Sequence, residues 1–329
     1  MEKIKISALE LATICKNSNA SEAIERAVIG AQHIERLGYH RIWLAEHHNM
    51  PHIASSATAV LIGHIAGKTS QIRVGSGGIM LPNHTPLVVA EQFGTLESIY
   101  PGRIDLGLGR APGTDQLTAM ALRRNNLNTS FYFKDDILEL QRYLDENNVD
   151  AKVRAFPGEG LDVPIYILGS STDSAYLAAE LGLPYAFAAH FAPAMLEQAS
   201  ALYYSNFKPS AALKEPYFIV CVNIVAAPTD DEAHFLSTSL FNMFAGILTN
   251  LRKPLSPPTD KPIYHGIPEI EEAVNRMVSC TFIGTESVIK KEVLDFAKQH
   301  KAHEIMTTNY IFDDAKRLES FDIIASALQ

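Results

Sequence analysis

The chain has 329 residues, 47% hydrophobic and 20% charged, the make-up of an ordinary globular enzyme and not of a disordered chain or a fibrous repeat. A formal net charge of -9, with no local Lys/Arg cluster to offset it, argues against a nucleic-acid partner. Three scattered cysteines (Cys15, Cys221, Cys280) form no disulfide framework, and neither a signal peptide nor an unbroken apolar span is visible, so a cytoplasmic protein with no membrane attachment is expected.

In chain order, Lys3 to Leu9 alternates like a strand, and Ser21 to Leu37 reads as an amphipathic helix with Ser21 as N-cap and Gly38 as terminator. Arg41 to Ala45 is a second strand, carrying the single tryptophan, Trp43, and ending in Glu46-His47-His48. A helix from Ser55 to Lys68 leads to a β-branched run from Ile72 to Met80 that is broken by Gly75, Gly77 and Gly78. Glycine weakens a strand, so something must approach that backbone closely. Thr85-Pro86 opens the next helix and Pro101-Gly102 closes it. Ile104 to Leu108 is the fourth strand and runs into Gly107-Leu-Gly109-Arg110-Ala-Pro-Gly113. A polar connection with Arg123, Arg124 and three asparagines then precedes a helix from Lys134 to Asn147. Strands at Pro164 to Gly169, Pro184 to Ala189, Tyr217 to Ala227 and Glu304 to Thr308 complete a set of eight, with helices between them and a last one from Asp313 to Leu328.

Eight strands alternating with helices at this length match a (β/α)8 TIM barrel in one domain spanning 1–329. The excess lies at 227–285, between the seventh strand and its helix. It holds a helix from Asp230 to Asn250 and a proline-rich passage from Pro254 to Pro268, and should form a lid or wall over the barrel's carboxyl rim.

In such a barrel, function concentrates where strands end. Ser170, Ser171 and Ser174 lie between the fifth strand and its helix, where hydroxyls and free N–H groups either cap the helix or hold a phosphate. Arg110 on the neighbouring rim loop favours the phosphate, because a structural arginine there would need a buried carboxylate. Gly77-Gly78 is either a platform for a planar ring or a β-bulge demanded by barrel packing. His47, His48 and His52 do not align as metal ligands, since Pro51 interrupts any helix and the first strand has no His-x-His; no metal is expected, and one histidine here suits acid–base work.

The runs Trp43-Leu-Ala-Glu46-His47-His48, Val74-Gly-Ser-Gly77-Gly78-Ile-Met-Leu-Pro82, Ala90-Glu91-Gln92, Pro101-Gly-Arg103, Gly107-Leu-Gly109-Arg110 and Ser170-Ser171 with Ser174 resemble, in order and spacing, the bacterial luciferase-like flavin monooxygenases. That resemblance implies a barrel that binds reduced FMN (FMNH2) and passes one atom of O2 to a small organic substrate such as an aldehyde. It implies His47 as the catalytic histidine and Gly77-Gly78 as a non-prolyl cis peptide beneath the flavin ring. Arg110, Ser170, Ser171 and Ser174 match phosphate-binding positions. It also implies a homodimer through the helices after the second and third strands, with Ala57, Ala59, Leu61 and Ile62 on the shared face. No nicotinamide fingerprint is present, so a separate flavin reductase is expected. Two positions depart from the luciferase catalytic subunit: Gly109 stands where it has a cysteine, leaving more room beside the flavin, and Ser170 stands where it has a glutamate. Three rivals remain open: a deazaflavin (F420)-dependent hydride-transfer oxidoreductase on the same barrel, a non-catalytic flavin-binding protein, and a metal-dependent hydrolase.

Overall fold

The computed structural model describes residues 4–123 and 129–329, so Lys3, Arg124 and the three asparagines of the polar connection lie outside the described residues. The elements run β1 (Lys5–Glu10), α1 (Ala20–Arg36), β2 (Arg41–Leu44), α2 (Thr58–Ala66), β3 (Arg73–Ser76), β4 (Ile79–Met80), α3 (Pro86–Ile99), β5 (Ile104–Gly109), α4 (Gln116–Arg123) and α5 (Phe133–Leu144). They continue as β6 (Ile165–Gly169), α6 (Thr172–Leu181), β7 (Tyr185–Ala188), α7 (Leu196–Asn206), β8 (Phe218–Ala226), α8 (Asp230–Leu248), α9 (Pro268–Met277), β9 (Thr281–Gly284), α10 (Glu286–Gln299), β10 (Glu304–Thr308) and α11 (Asp314–Leu328).

The strands pair in parallel in the order β10-β1-β2-β3-β5-β6-β7-β8, and β10 also pairs β8, which closes a ring of eight. This is the (β/α)8 barrel, and all eight predicted strands are in it. β9 lies outside the ring, paired only with the far end of β8 from Asn223 to Ala226. Local signals differ in detail from the sequence reading. Asn19, not Ser21, caps α1 in a reciprocal capping box with Glu22. Thr85 makes no side-chain cap, and Pro86 alone sets the start of α3.

Outward-facing residues such as Ile6, Ala8, Ile42 and Leu44 pack under the helices in the main core. A smaller cluster fills the barrel interior: Leu9, Trp43, Ala45, Tyr166, Ala186, Ile219, Cys221 and Met306. Below it, the amino-terminal mouth is plugged by charge. Arg41 meets Asp105 at 2.7 Å and Glu304 at 3.0 Å, Arg73 meets Asp105 at 2.6 Å, and both carboxylates are fully buried. Trp43 Nε1 and the Tyr217 and Ser7 hydroxyls donate to the same two carboxylates, so the charges are matched and hydrogen-bonded as burial demands.

A third apolar cluster joins the insertion to the carboxyl rim. Leu236, Leu240 and Phe244 of α8, Val274 of α9 and Leu255 pack with Tyr310 and Ile311 beyond β10 and with Leu11 beyond β1. The insertion therefore stands over the β8-β10-β1 side of the mouth. Among the described residues, no helix is long and apolar enough to cross a membrane.

Candidate active site

The end of β2 is held by its own loop. The Ser55 and Thr58 hydroxyls both donate to the Ala45 carbonyl, and the His47 N–H donates to the Ser55 carbonyl at 3.0 Å. These bonds turn the chain so that Glu46 goes inward and His47 faces the mouth. Glu46 is 1% exposed and accepts from His48 Nε2 at 2.9 Å, His84 Nε2 at 2.9 Å and the Met80 N–H at 3.0 Å. Burial alone would raise its carboxyl, but those donors hold it down at about 2, so it is an anion that ties the β2 loop to the turn after β4.

His47 is partly open to the mouth. Its Nδ1 lies 3.2 Å from the Gly113 carbonyl. A carbonyl can only accept, so Nδ1 carries the proton and Nε2 keeps its lone pair. Burial lowers the ring's pKa, only partly offset by the Gly113 bond and the nearby Glu46 charge, and His47 is neutral at pH 7. A neutral imidazole with a fixed tautomer can accept a proton at Nε2 and return it.

Gly77 and Gly78 lie in a β-bulge. Gly75 pairs with Asp105 and Ile79 with Leu108, so β3-β4 spends four residues where β5 spends three. Across the gap the Ser76 hydroxyl replaces the ladder, donating to the Gly107 carbonyl and accepting from the Gly107 N–H. The close approach inferred from the glycines is in part made by the protein itself. A Cβ on Gly78 would stand 2.7 Å from the Gly107 oxygen, and one on Gly77 would stand 2.7 Å from a Leu9 methyl. Gly77 nevertheless keeps part of its surface open, and the Gly77-Gly78 peptide is cis. The room expected beside Gly109 is taken by Met80, whose methyl would lie 2.8 Å from a Cβ there.

Arg110 follows β5 and reaches Asp173 of α6 at 3.3 Å. Both side chains are largely exposed, at 45% and 72%, so the partner is a solvated carboxylate in place of the buried one sought in the sequence. Such a pair is worth little and opens readily for a stronger anion. Ser171 is the N-cap of α6, its hydroxyl accepting from the Ser174 N–H at 3.3 Å. The Ser174 hydroxyl is turned inward, donating to the Ser171 carbonyl at 2.8 Å and meeting the Tyr185 hydroxyl at 2.9 Å, so it braces the turn. Ser170 lies half-buried in the bend before the cap. The first N–H groups of α6 remain available beside Arg110.

His47, the bulge, Arg110 and the serine turn thus occupy the carboxyl ends of β2, β3-β4, β5 and β6, four neighbours in the ring. Three further groups lie around the same mouth: His190 and His52, which the sequence offers after the strands that bear them, and Arg252, which it does not relate to them. His190, after β7, is buried, its Nδ1 has no partner, and burial pushes its pKa down to about 3. Its backbone is fixed from below, Asn223 donating to the His190 carbonyl at 2.7 Å. His52 is 3% exposed, also with an unpartnered Nδ1, and burial lowers its pKa, assisted by Arg252. Arg252 belongs to the insertion, some 200 residues from His47 in sequence, so no spacing pattern relates the two. Among the described residues, no group of three or more His, Cys, Asp or Glu is placed to hold a metal ion.

Comparison with known proteins agrees with this geometry. The family model described as luciferase-like monooxygenase matches residues 8–300. A protein of Escherichia coli (strain K12) named luciferase-like monooxygenase is 48% identical over 97% of this chain and 96% of its own. The solved structure of apo-MsnO8 superposes with a TM-score of 0.89 at 29% identity, covering 99% of both chains. Two structures are alike in fold alone. The oxygenating constituent of 3,6-diketocamphane monooxygenase, a type II Baeyer-Villiger monooxygenase in complex with FMN, has a TM-score of 0.76 at 15% identity, covering 99% of this chain and 98% of its own. An F420-dependent secondary alcohol dehydrogenase has a TM-score of 0.70 at 16% identity, covering 99% of both. With a family model over most of its length and a near-full-length relative at almost half identity, this chain belongs to the luciferase-like monooxygenase family.

Proposed function

We propose that the protein is an FMN-dependent monooxygenase that uses reduced FMN and O2 to oxygenate a small organic substrate, aldehydes being the first to test. The observation that carries this reading is the row of four adjacent strand ends bearing His47, the open bulge at Gly77, Arg110 and the α6 N-terminus. The residues fit the cofactor. Arg110 has an exchangeable partner, Asp173, and lies beside unused helix N–H groups, which suits a flavin phosphate. Gly77 and Ser170, both partly open, lie at strand ends between His47 and that anchor, with Gly78 buried beside Gly77.

Bound reduced FMN would supply the electrons that activate O2 at this site. The chain's own part is to orient and to handle protons. Arg110, with Ser171 and the α6 N–H groups, fixes one end of the cofactor. His47 Nε2 takes up and returns a proton next to the ring, its tautomer set by Gly113 and its loop by Glu46. The insertion, packed across the β8-β10-β1 rim, keeps bulk water from the mouth.

The reduced cofactor would come from a separate flavin reductase, and the natural setting would be the cytoplasm. A homodimer would form through α2 and α3, on only part of the surface read in the sequence, where Ala57 is exposed and Ala59 half-buried. Leu61 and Ile62 point into the core, and the exposed large apolar residues are Val60 at 71%, Val88 at 42% and Ile99 at 58%. The single-domain reading with 227–285 as a wall is retained.

The test is an anaerobic titration with reduced FMN and, in parallel, reduced F420, followed by air and a screen of aldehydes. Saturable binding of reduced FMN and substrate-dependent O2 uptake are expected. Hydride transfer with F420 and no O2 uptake would make it a dehydrogenase, and binding without turnover in either case would make it a flavin carrier.

A further inference from the structure

We infer that Arg252, with the His52 ring beside it, forms an anion site that takes the carboxylate of the organic substrate, on the flank of β2 away from Arg110. This rests on the flavin reading above for the identity of the bound molecule, but not for the site.

Three segments are laid side by side at this flank. The insertion is stapled to the loop after β1 by Lys16 N–H to the Leu255 carbonyl at 2.8 Å and by Leu255 N–H to the Ile14 carbonyl at 2.9 Å. On its other side that loop accepts the His52 segment, through Ile14 N–H to the His52 carbonyl at 2.9 Å and Ala54 N–H to the Ala12 carbonyl at 3.0 Å. Isolated bridges at Cys15–Leu255 and Thr13–Ile53 repeat the pattern. Leu255 is 1% exposed, and the Leu251 N–H is tied back to the Gly246 carbonyl, so Arg252 projects from an anchored turn and not from a loose tip.

The groups gathered there ask for an anion. Arg252 is exposed and makes no ion pair among the described residues. It stands three residues before Leu255, whose bonds to Ile14 and Lys16 set this part of the insertion along the β1 loop that also holds the His52 segment, and its charge lowers the pKa of the His52 ring. His52 is 97% removed from solvent with Nδ1 lacking a partner, and a buried polar atom left unmatched is costly unless a bound group completes it. The carboxylates nearby are already engaged: Glu46 serves His48, His84 and Met80, Glu10 serves the Ala12 N–H and Arg317, and Asp115 serves Asn49 and Thr118. A carboxylate accepts at both oxygens, which matches a guanidinium fork and an adjacent ring nitrogen. The ring order separates this site from Arg110: β1 lies on one side of β2, and β3 followed by β5 on the other. One anion anchor on each flank of His47 would hold a phosphorylated cofactor and an acidic substrate at once.

The test uses full-length protein loaded with FMN and calorimetric titration with octanoate, octanamide and octanol. Octanoate should bind about tenfold or more tightly than the amide, a difference of about 1.4 kcal/mol. Arg252→Ala should bring the two within about twofold, Arg252→Lys should restore part of the preference, and FMN affinity should not change in either. Equal binding of octanoate and octanamide to the wild type, no binding of either, or a preference that survives Arg252→Ala overturns the inference. So does a roughly tenfold loss of FMN affinity in Arg252→Ala, because the arginine would then serve the flavin phosphate. Should FMN not bind at all, the flavin reading fails, and the same titration on the unloaded protein still decides the anion site.

Discussion

Replacing Glu46 by Gln tests how the loop that carries His47 is held. The carboxyl sits at about 2 against an ordinary 4.5, and at about 1.4 kcal/mol per factor of ten that gap corresponds to roughly 3 kcal/mol. Glu46 is 1% exposed, so solvent screening takes little from this figure. The sign follows from the folded value lying below the unfolded one: the contribution is complete above about pH 4.5 and drains away as pH falls towards 2. Gln offers one acceptor oxygen and turns an amide N–H2 towards donors, leaving at least one of them unmatched. Urea unfolding of wild type and Glu46→Gln should therefore differ by about 3 kcal/mol at pH 7 and by less than half of that at pH 3. A difference below about 1 kcal/mol at pH 7, or one that stays constant down to pH 3, would refute the assignment of Glu46 as an ionised hub.

Two further outcomes follow from the packing. Gly107→Ala places a methyl 2.2 Å from the Ser76 carbonyl oxygen, which neither strand can vacate, and should cost about 3 kcal/mol in thermal or urea unfolding. Gly102→Ala, with open space but a φ of +74°, should cost only about 1 kcal/mol, from backbone conformation alone. Val88 and Ile99 recur on α3 after three full turns and so share one face of that helix, and α2, which packs against α3, exposes Val60. Val60→Glu should convert a dimer to a monomer in sedimentation, whereas unchanged mass would place the contact elsewhere.

The barrel was legible because each of its strands is a β-branched or aromatic run closed by glycine, proline or a polar cluster, and those closures are also where the site lies. β9 was not, since Thr281–Gly284 is four residues long and only partly buried, and pairs with nothing but the overlong end of β8. The glycines of β3 announced a break, yet the bulge itself is defined by register against β5, a property of two strands that neither carries alone. Ser174 looked like a free phosphate donor because its acceptors are the Ser171 carbonyl, hidden in the cap, and Tyr185 on the next strand. Arg110 was correctly placed on the rim, but its exposed partner Asp173 sits in the helix whose start was being read for serines. His52 and Arg252 meet only because the insertion crosses the β1 loop, a long-range contact that no local pattern encodes.

The account turns on a flavin phosphate held at Arg110 and the first turn of α6. Fluorescence-monitored binding of FMN to wild type, Arg110→Glu and His47→Ala measures this directly. The account predicts saturable binding to wild type, a loss of about thirtyfold or more in Arg110→Glu, as expected for removing a charge-assisted bond of roughly 2 kcal/mol and adding repulsion, and a change within about twofold in His47→Ala. Equal affinity of wild type and Arg110→Glu for FMN would contradict it.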